Sequence, residues 1–241
     1  MQTVLPKAGA VSVEDSTISI QGIGPGSNPR AALHSLNVQG IDRAIAAEVI
    51  KHHHYLHSFP GGTKLSLGVF DRKRLSGALT LGVGPKNAHC LVENTSADDC
   101  LTLTRLWLSD DLPSNSESRV LAMVVKLLRK HTTIKFLLSY ADPSAGHVGT
   151  IYQAAGWLYI GLSAAMSLYD LGDGVARHSR SVGQIFGSHS MVHLTKNGIN
   201  VKTIPQSPKH RYVCFVDPAW QSRLRVPVLP YPKKEKSDGS N

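Results

Sequence analysis

The stretch from Leu101 to Tyr140 does most to restrict what this chain can fold into. Leu101 to Leu108 alternates apolar and polar side chains, the pattern of a half-buried strand. From about Ser116 to Lys130, Val120, Leu121, Val124, Val125, Leu127 and Leu128 recur at helical spacing and mark a buried helix face. Ile134 to Tyr140 is a short apolar run and reads as a buried strand. Upstream, Ile41 to about Tyr55 reads as a helix, with Asp42 in its first turn. Lys64–Phe70 and Leu75–Val83 are strand-like runs joined by the charged tip Asp71-Arg72-Lys73-Arg74. Downstream, His147–Ala155 is a short helix stopped by Gly156, and Trp157–Leu168 supplies one or two more strands. Strands alternating with helices imply an α/β fold with a mixed, partly parallel sheet covered by helices.

The two ends differ from this centre. Residues 1–35 read as a poorly ordered arm with at most one short strand. Its breaker-rich run, Gly22 to Pro29, is a loop rather than a phosphate cradle, because no Lys-Ser/Thr follows and no strand–helix frame surrounds it. After Asp170 the chain is rich in Gly, His and Arg and less periodic. Arg211 to Phe215 is its best strand, and Pro227, Pro230 and Pro232 mark an extended tail. The boundaries expected are therefore an arm over 1–35, a central domain over 36–170, and a basic extension over 171–241 that packs on the domain or trails from it.

Charge separates these regions. Residues 41–170 carry 13 Lys/Arg against 11 Asp/Glu, while residues 171–241 carry 11 against 4, so most of the net +9 sits in the last third. Such a face attracts a polyanion by releasing the counterions condensed on it, and a solubilising basic tail explains the same count. Cys90, Cys100 and Cys214 are an odd number without CxxC spacing, which fits a reducing compartment and neither a disulfide framework nor a cysteine zinc site. A signal peptide and a run of about 20 apolar residues are both missing, so a soluble, cytoplasmic protein without a membrane partner is expected.

Three polar clusters carry candidate chemistry. Ser114 and Glu117 fit a Ser-x-x-Glu capping box before the central helix, and the same small hydroxyls at a helix start suit an anion. Arg105 and Arg119 are expected near that strand–helix junction. Ser139-Tyr140-Ala141-Asp142 ends the next strand, and the ends of adjacent parallel strands meet at the edge where ligands bind. Gly146-His147-Val148-Gly149 leads into the short helix with Tyr152, for which a core place is the commoner fate, and Gln153, whose amide demands partners if buried. His53 and His57 stand four apart on the first helix, a spacing that can bind a metal; without an Asp, Glu or Cys at ligand spacing, cations at a helix C-terminus explain them better. His54-Tyr55 would form part of a substrate wall.

The element order resembles the GNAT acyltransferase fold. More specifically, Leu103-Thr104-Arg105-Leu106-Trp107-Leu108, Asn115-Ser116-Glu117-Ser118-Arg119, Ser139-Tyr140-Ala141-Asp142, Gly146-His147-Val148-Gly149 with Ile151-Tyr152-Gln153-Ala154, and Leu229-Pro230-Tyr231-Pro232-Lys233 resemble the Mom family of bacteriophage DNA-modification proteins over residues 40–235. The resemblance implies that adenine in double-stranded phage DNA receives a carbamoylmethyl group on N6, in the host cytoplasm, as a shield against restriction. A GNAT acetyltransferase of a protein or small amine, and a non-catalytic DNA-binding protein, remain the alternatives. The GNAT fold implies acetyl-CoA as donor, yet the glycine-rich pyrophosphate loop is replaced by Pro113-Ser114-Asn115-Ser116-Glu117-Ser118. A carbamoylmethyl group is also joined through a CH₂ carbon, whereas acetyl transfer gives an amide. The donor and any metal step stay open.

On this reading the base is extruded from the duplex and held by Tyr140 or Tyr152, with Asp142 or Glu117 as general base. Arg105, Asn115, Ser116, Ser118, Arg119, Ser139, His147, Gly149, Gln153, His54 and Tyr55 bind substrate or donor. Arg211, Arg223, Arg225, Lys233 and Lys234 hold the DNA backbone.

Overall fold

The structure is a computed structural model that describes residues 35–233. The arm up to residue 34, including the loop from Gly22 to Pro29, lies outside the described residues, as does Lys234.

Helix α1 (Arg43–His53) starts one residue after Asp42, which is its N-cap: the carboxylate accepts a hydrogen bond from the Ala44 amide at 2.6 Å. Strands β2 (Thr63–Asp71) and β3 (Arg74–Gly82) form the expected hairpin, and Arg72 at its two-residue tip has φ +58°. Strand β1 (Leu36–Gly40) pairs antiparallel with β2. Strand β4 (Cys100–Leu108), helix α2 (Ser116–His131) and strand β5 (Phe136–Ala141) form the crossover unit, and β4 and β5 are parallel. Helix α3 (Thr150–Ala154) and strand β6 (Leu158–Leu162) follow, with Gly156 at φ +72° ending the helical segment.

Next comes an insertion. Strands β7 (Met166–Asp170), β8 (Ala176–His178) and β9 (Lys202–Gln206) make a separate antiparallel sheet, accompanied by helices α4 (Ser179–Phe186) and α5 (Met191–Lys196). Strand β10 (His210–Phe215) then enters the main sheet between β5 and β6, giving the order β1-β2-β3-β4-β5-β10-β6. This is the mixed, partly parallel sheet flanked by helices that the element order implied. The basic last third thus contributes a strand paired on both sides within the main sheet.

Each face of the sheet has its own core. Val120, Leu121, Val124 and Leu128 of α2 pack with Leu101, Leu103, Leu137, Tyr152 and Tyr212 on one face. Phe136, Leu138, Val213 and Phe215 pack on the other with Ala88 and Val92. Val125 and Leu127 are only partly buried, because they flank the α2 stripe rather than centre it.

Two local expectations need correction. Ser114 and Glu117 do not form a capping box: Asn115 is the N-cap of α2, in a left-handed conformation at φ +69°. A reciprocal box occurs instead at Ser96 and Asp99, before β4. Nor does β4 alternate cleanly. Leu103 pairs with Leu81 and Arg105 with Thr80, so Thr104 is an extra bulge residue, held by hydrogen bonds to the Thr80 hydroxyl (2.8 Å) and carbonyl (3.1 Å). A bulge shifts the side-chain phase by one residue. Leu101, Leu103, Leu106 and Leu108 therefore share the α2 face. Arg105 and Trp107 are turned to the opposite face, toward α1.

Candidate active site

Pairing between β4 and β5 stops at Leu103–Ser139, although both strands continue. Beyond that point a cleft of about 920 Å³ opens, within the ~300–1,000 Å³ usual for small-molecule sites. Because it passes between the diverging strands, groups from both faces of the sheet line one space. Thr104, Arg105 and Trp107 come from β4, Tyr140 from β5, and Asp142, His147 and Gly149 from the turn after it. Glu117 and Tyr152 come from the α2 side, and Met166, His178 and Gln206 from the insertion.

The end of α1 forms an aromatic wall. His54 is buried and stacks on Tyr55 at 4.5 Å between ring centroids, and Tyr55 meets His147 at 5.4 Å. The His54 Nδ1 accepts a hydrogen bond from the Leu56 amide at 3.2 Å, which leaves Nε2 to carry the proton. Burial, reinforced by the charges of Arg105, His147 and His57, pushes the His54 pKa down to about 4, so the ring is neutral at physiological pH. His53 stacks on Trp107 at 4.2 Å, and the His57 Nδ1 contacts the Lys51 carbonyl at 3.0 Å.

Arg105 departs from its expected place beside Arg119. Its Nε and Nη2 donate to the carbonyl and hydroxyl of Ser58, both at 3.1 Å, and Nη1 donates to the Thr104 carbonyl at 2.7 Å. Burial lowers its pKa. Tyr140 is pushed up to about 12 by burial, so its hydroxyl keeps its proton.

Asp142 is the N-cap of a short 3-10 turn. Its Oδ1 accepts from the Ser144 amide (3.0 Å) and hydroxyl (2.6 Å), and its Oδ2 pairs with the Lys209 Nζ at 2.9 Å. Partial burial alone would raise its pKa; the hydrogen bonds from Ser144 and Lys209, with the Lys209 charge, outweigh that and hold the carboxyl below its ordinary value. The Asp142 carbonyl also accepts from the His147 amide, which fixes the loop.

Several candidates do structural work. The Ser116 amide and hydroxyl both donate to the Pro113 carbonyl, and the Ser118 hydroxyl donates to the Asn115 carbonyl. Arg119 is half-buried, with its amide bonded to Asn115. Ser139 is fully buried and donates to the Tyr152 hydroxyl at 2.7 Å. Burial raises the Tyr152 pKa to about 12. The Gln153 amide nitrogen donates to Val148 O (3.2 Å), Tyr212 Oη (3.0 Å) and Pro232 O (3.2 Å), tying the C-terminal segment to α3.

The candidate backbone cations divide. Arg211 lines the cleft. Arg223 stacks on Trp220 at 4.5 Å, Arg225 stands 3.9 Å from Glu93, and Lys233 is exposed. Sequence reasoning did not single out Ser58, Trp107, His178, Gln206 or Lys209. Two of these left a signal, Trp107 within the Leu103–Leu108 motif of the family resemblance and Lys209 among the basic residues clustered after Asp170.

The model of the Mom protein family matches residues 35–233. The chain belongs to the Mom protein family. It is 32% identical over 205 residues to the methylcarbamoylase Mom of Escherichia phage Mu, covering 82% of this chain and 84% of that protein. Among solved structures, the ribosomal L7/L12 alpha-N-protein acetyltransferase RimL is similar at 9% identity and a TM-score of 0.42, over 76% of this chain and 94% of that one. The acetyltransferase AAC(6')-Ib is similar at 12% identity and a TM-score of 0.46, over 79% and 98%. Among the described residues of this Mom-family chain, no helix is long and apolar enough to cross a membrane.

Proposed function

We propose that this chain is a transferase that joins a carbamoylmethyl group to N6 of adenine in phage DNA, in the host cytoplasm, and so protects that DNA from restriction. Membership of the Mom family, with a phage methylcarbamoylase at 32% identity, carries the reading. The cleft supports it: an aromatic wall stands beside fixed hydrogen-bond donors in a space sized for a base and a small donor.

N6 of adenine is a weak nucleophile, since its lone pair is shared with the ring, and it is buried in the duplex. The base is therefore extruded and stacked in the cleft against Tyr55 or Tyr140. Tyr152 suits this less, because its ring lies in the core and its hydroxyl bonds to Ser139. As N6 attacks the CH₂ carbon, that carbon's leaving group departs with its electron pair and N6 loses a proton. We assign the proton to Glu117, which makes no side-chain hydrogen bond or ion pair among the described residues. Asp142, with both oxygens engaged by Ser144 and Lys209, holds the loop in place. Where Tyr55 stacks on the base, the neutral His54 and the protonated Tyr140 supply hydrogen bonds to its edge. Arg223, Arg225, Lys233 and Lys234 carry backbone contacts.

The fold's usual donor, an acyl-CoA, finds little support at the start of α2. The turn before α2 contains no glycine over Pro113–Ser118, and its Ser116 amide is committed to Pro113. Glu117 in the first turn of α2 adds negative charge at that helix start, which disfavours a pyrophosphate there.

Nucleoside mass spectrometry of DNA from cells expressing the chain tests the proposal. A deoxyadenosine heavier by a carbamoylmethyl group is expected. Unmodified DNA with acetylated protein would assign the chain to protein acetylation instead, and no modification of either would leave a DNA-binding role.

A further inference from the structure

Strand β10 places Arg211 directly opposite Tyr140 of β5. On its other side Arg211 meets a bulge in β6: His210 pairs with Leu162 and Tyr212 with Tyr159, so Ile160 and Gly161 together oppose one residue. Gly161 has φ +83° there, a conformation that favours glycine. The bulge releases the Ile160 carbonyl from the ladder, and Arg211 Nη2 donates to it at 2.9 Å. One arm of the guanidinium is thereby pinned to the backbone. Its Nε–H is buried and meets no acceptor among the described residues. The same side chain lines the cleft beside Ser163, His178, Gln206, Ser207 and Lys209.

A buried guanidinium N–H without an acceptor is a cost that folds avoid, and at a binding site a ligand atom removes it. We infer that Arg211 anchors an anion subsite of the cleft, which holds the carboxylate of a small group donor. Three observations favour that chemistry. The guanidinium fork accepts carboxylate and phosphate alike, and the burial of Nε favours the smaller planar carboxylate over a phosphate held in the DNA backbone. The neighbouring Lys209 is already neutralised by Asp142, while Arg211 has no carboxylate partner among the described residues. Charge also separates along the cleft, with Glu117 at the α2 end and Arg105 and Arg211 on the α1 face, so an anionic donor is drawn away from the position an acyl-CoA pyrophosphate would take. The inference rests on the proposed group transfer and adds the donor's chemical class.

The test observes the Arg211 Nε–H directly, as a proton–nitrogen NMR signal assigned by its loss in Arg211→Lys. Sodium acetate and an adenine-rich DNA duplex are titrated separately into the wild-type protein. The expected result is a saturable movement of this signal with acetate. Arg211→Lys should then bind acetate at least about tenfold more weakly and the duplex with about unchanged affinity. Movement with DNA and not with acetate would overturn the assignment in favour of a phosphate. No movement with either would leave Arg211 as a prop for the β6 bulge only. A misfolded variant would lose duplex binding together with acetate binding, so the unchanged duplex affinity of Arg211→Lys separates loss of the subsite from loss of the fold. Acetate binding in a protein whose DNA carries no modified adenine would support the subsite while removing the proposed reaction.

Discussion

Gly149 stands against the ring of Tyr212 so closely that a Cβ at this position would lie 2.7 Å from Cζ and 2.9 Å from the hydroxyl oxygen. The Tyr212 hydroxyl in turn donates to the Val148 carbonyl at 2.5 Å and accepts from the Gln153 amide at 3.0 Å. This contact sets the start of α3 on β10, and with it the position of the loop carrying His147. Gly149 also has φ +83°. Gly149→Ala should therefore add steric overlap to a left-handed strain and cost about 2–4 kcal/mol. Urea unfolding measures this; a loss under about 0.5 kcal/mol would show that the ring can move aside.

The Ser139–Tyr152 hydrogen bond is buried at both ends, so Tyr152→Phe tests whether Tyr152 acts on structure or substrate. The expected cost is about 1–2 kcal/mol, with adenine modification retained once the protein is folded. Unchanged stability with abolished modification would place the Tyr152 hydroxyl at the reacting base instead.

Local pattern made most elements legible. Val120, Leu121, Val124 and Leu128 announce α2 because a helix must bury a stripe, and the tip at Arg72-Lys73 closes the hairpin it predicts. What stayed hidden is mostly non-local. Nothing near Arg211 says that His210–Phe215 will pair with Phe136–Ala141, some seventy residues earlier in the chain. Arg211 was therefore read as a surface cation when the sheet carries it into the cleft. The bulge at Thr104 did leave a trace, the two adjacent polar residues Thr104-Arg105 that break the alternation of leucines. The false capping box at Ser114 fails for a conformational reason: Asn115 tolerates the left-handed turn and takes the cap.

His54 makes stability depend on pH in a definite direction. Its folded pKa of about 4 lies below the ordinary 6.5, so the folded state resists protonation that the unfolded chain accepts. The stability it contributes is complete above pH 6.5 and is lost as pH falls from there to about 4. Denaturant titrations at pH 7 and pH 4.5 should show a smaller loss in His54→Asn than in the wild type. An equal loss in both would mean that other histidines govern the acid limb.

Asp142 and Lys209 provide the last test, because structure and chemistry predict different outcomes there. The folded pKa of Asp142 is depressed, so its contribution to stability is present above the ordinary carboxylate value and is lost as pH falls through the folded pKa. Lys209→Met should cost about 1–2 kcal/mol at pH 7 for this partly buried pair, a difference that shrinks toward pH 3. If Glu117 takes the N6 proton, Glu117→Gln should abolish adenine modification in a folded protein. Asp142→Asn, which loosens only the loop, should then slow it about tenfold. DNA affinity should be nearly intact in both. Abolition by Asp142→Asn, with Glu117→Gln still active, would move the base to Asp142 and require that Lys209 swing away during the reaction.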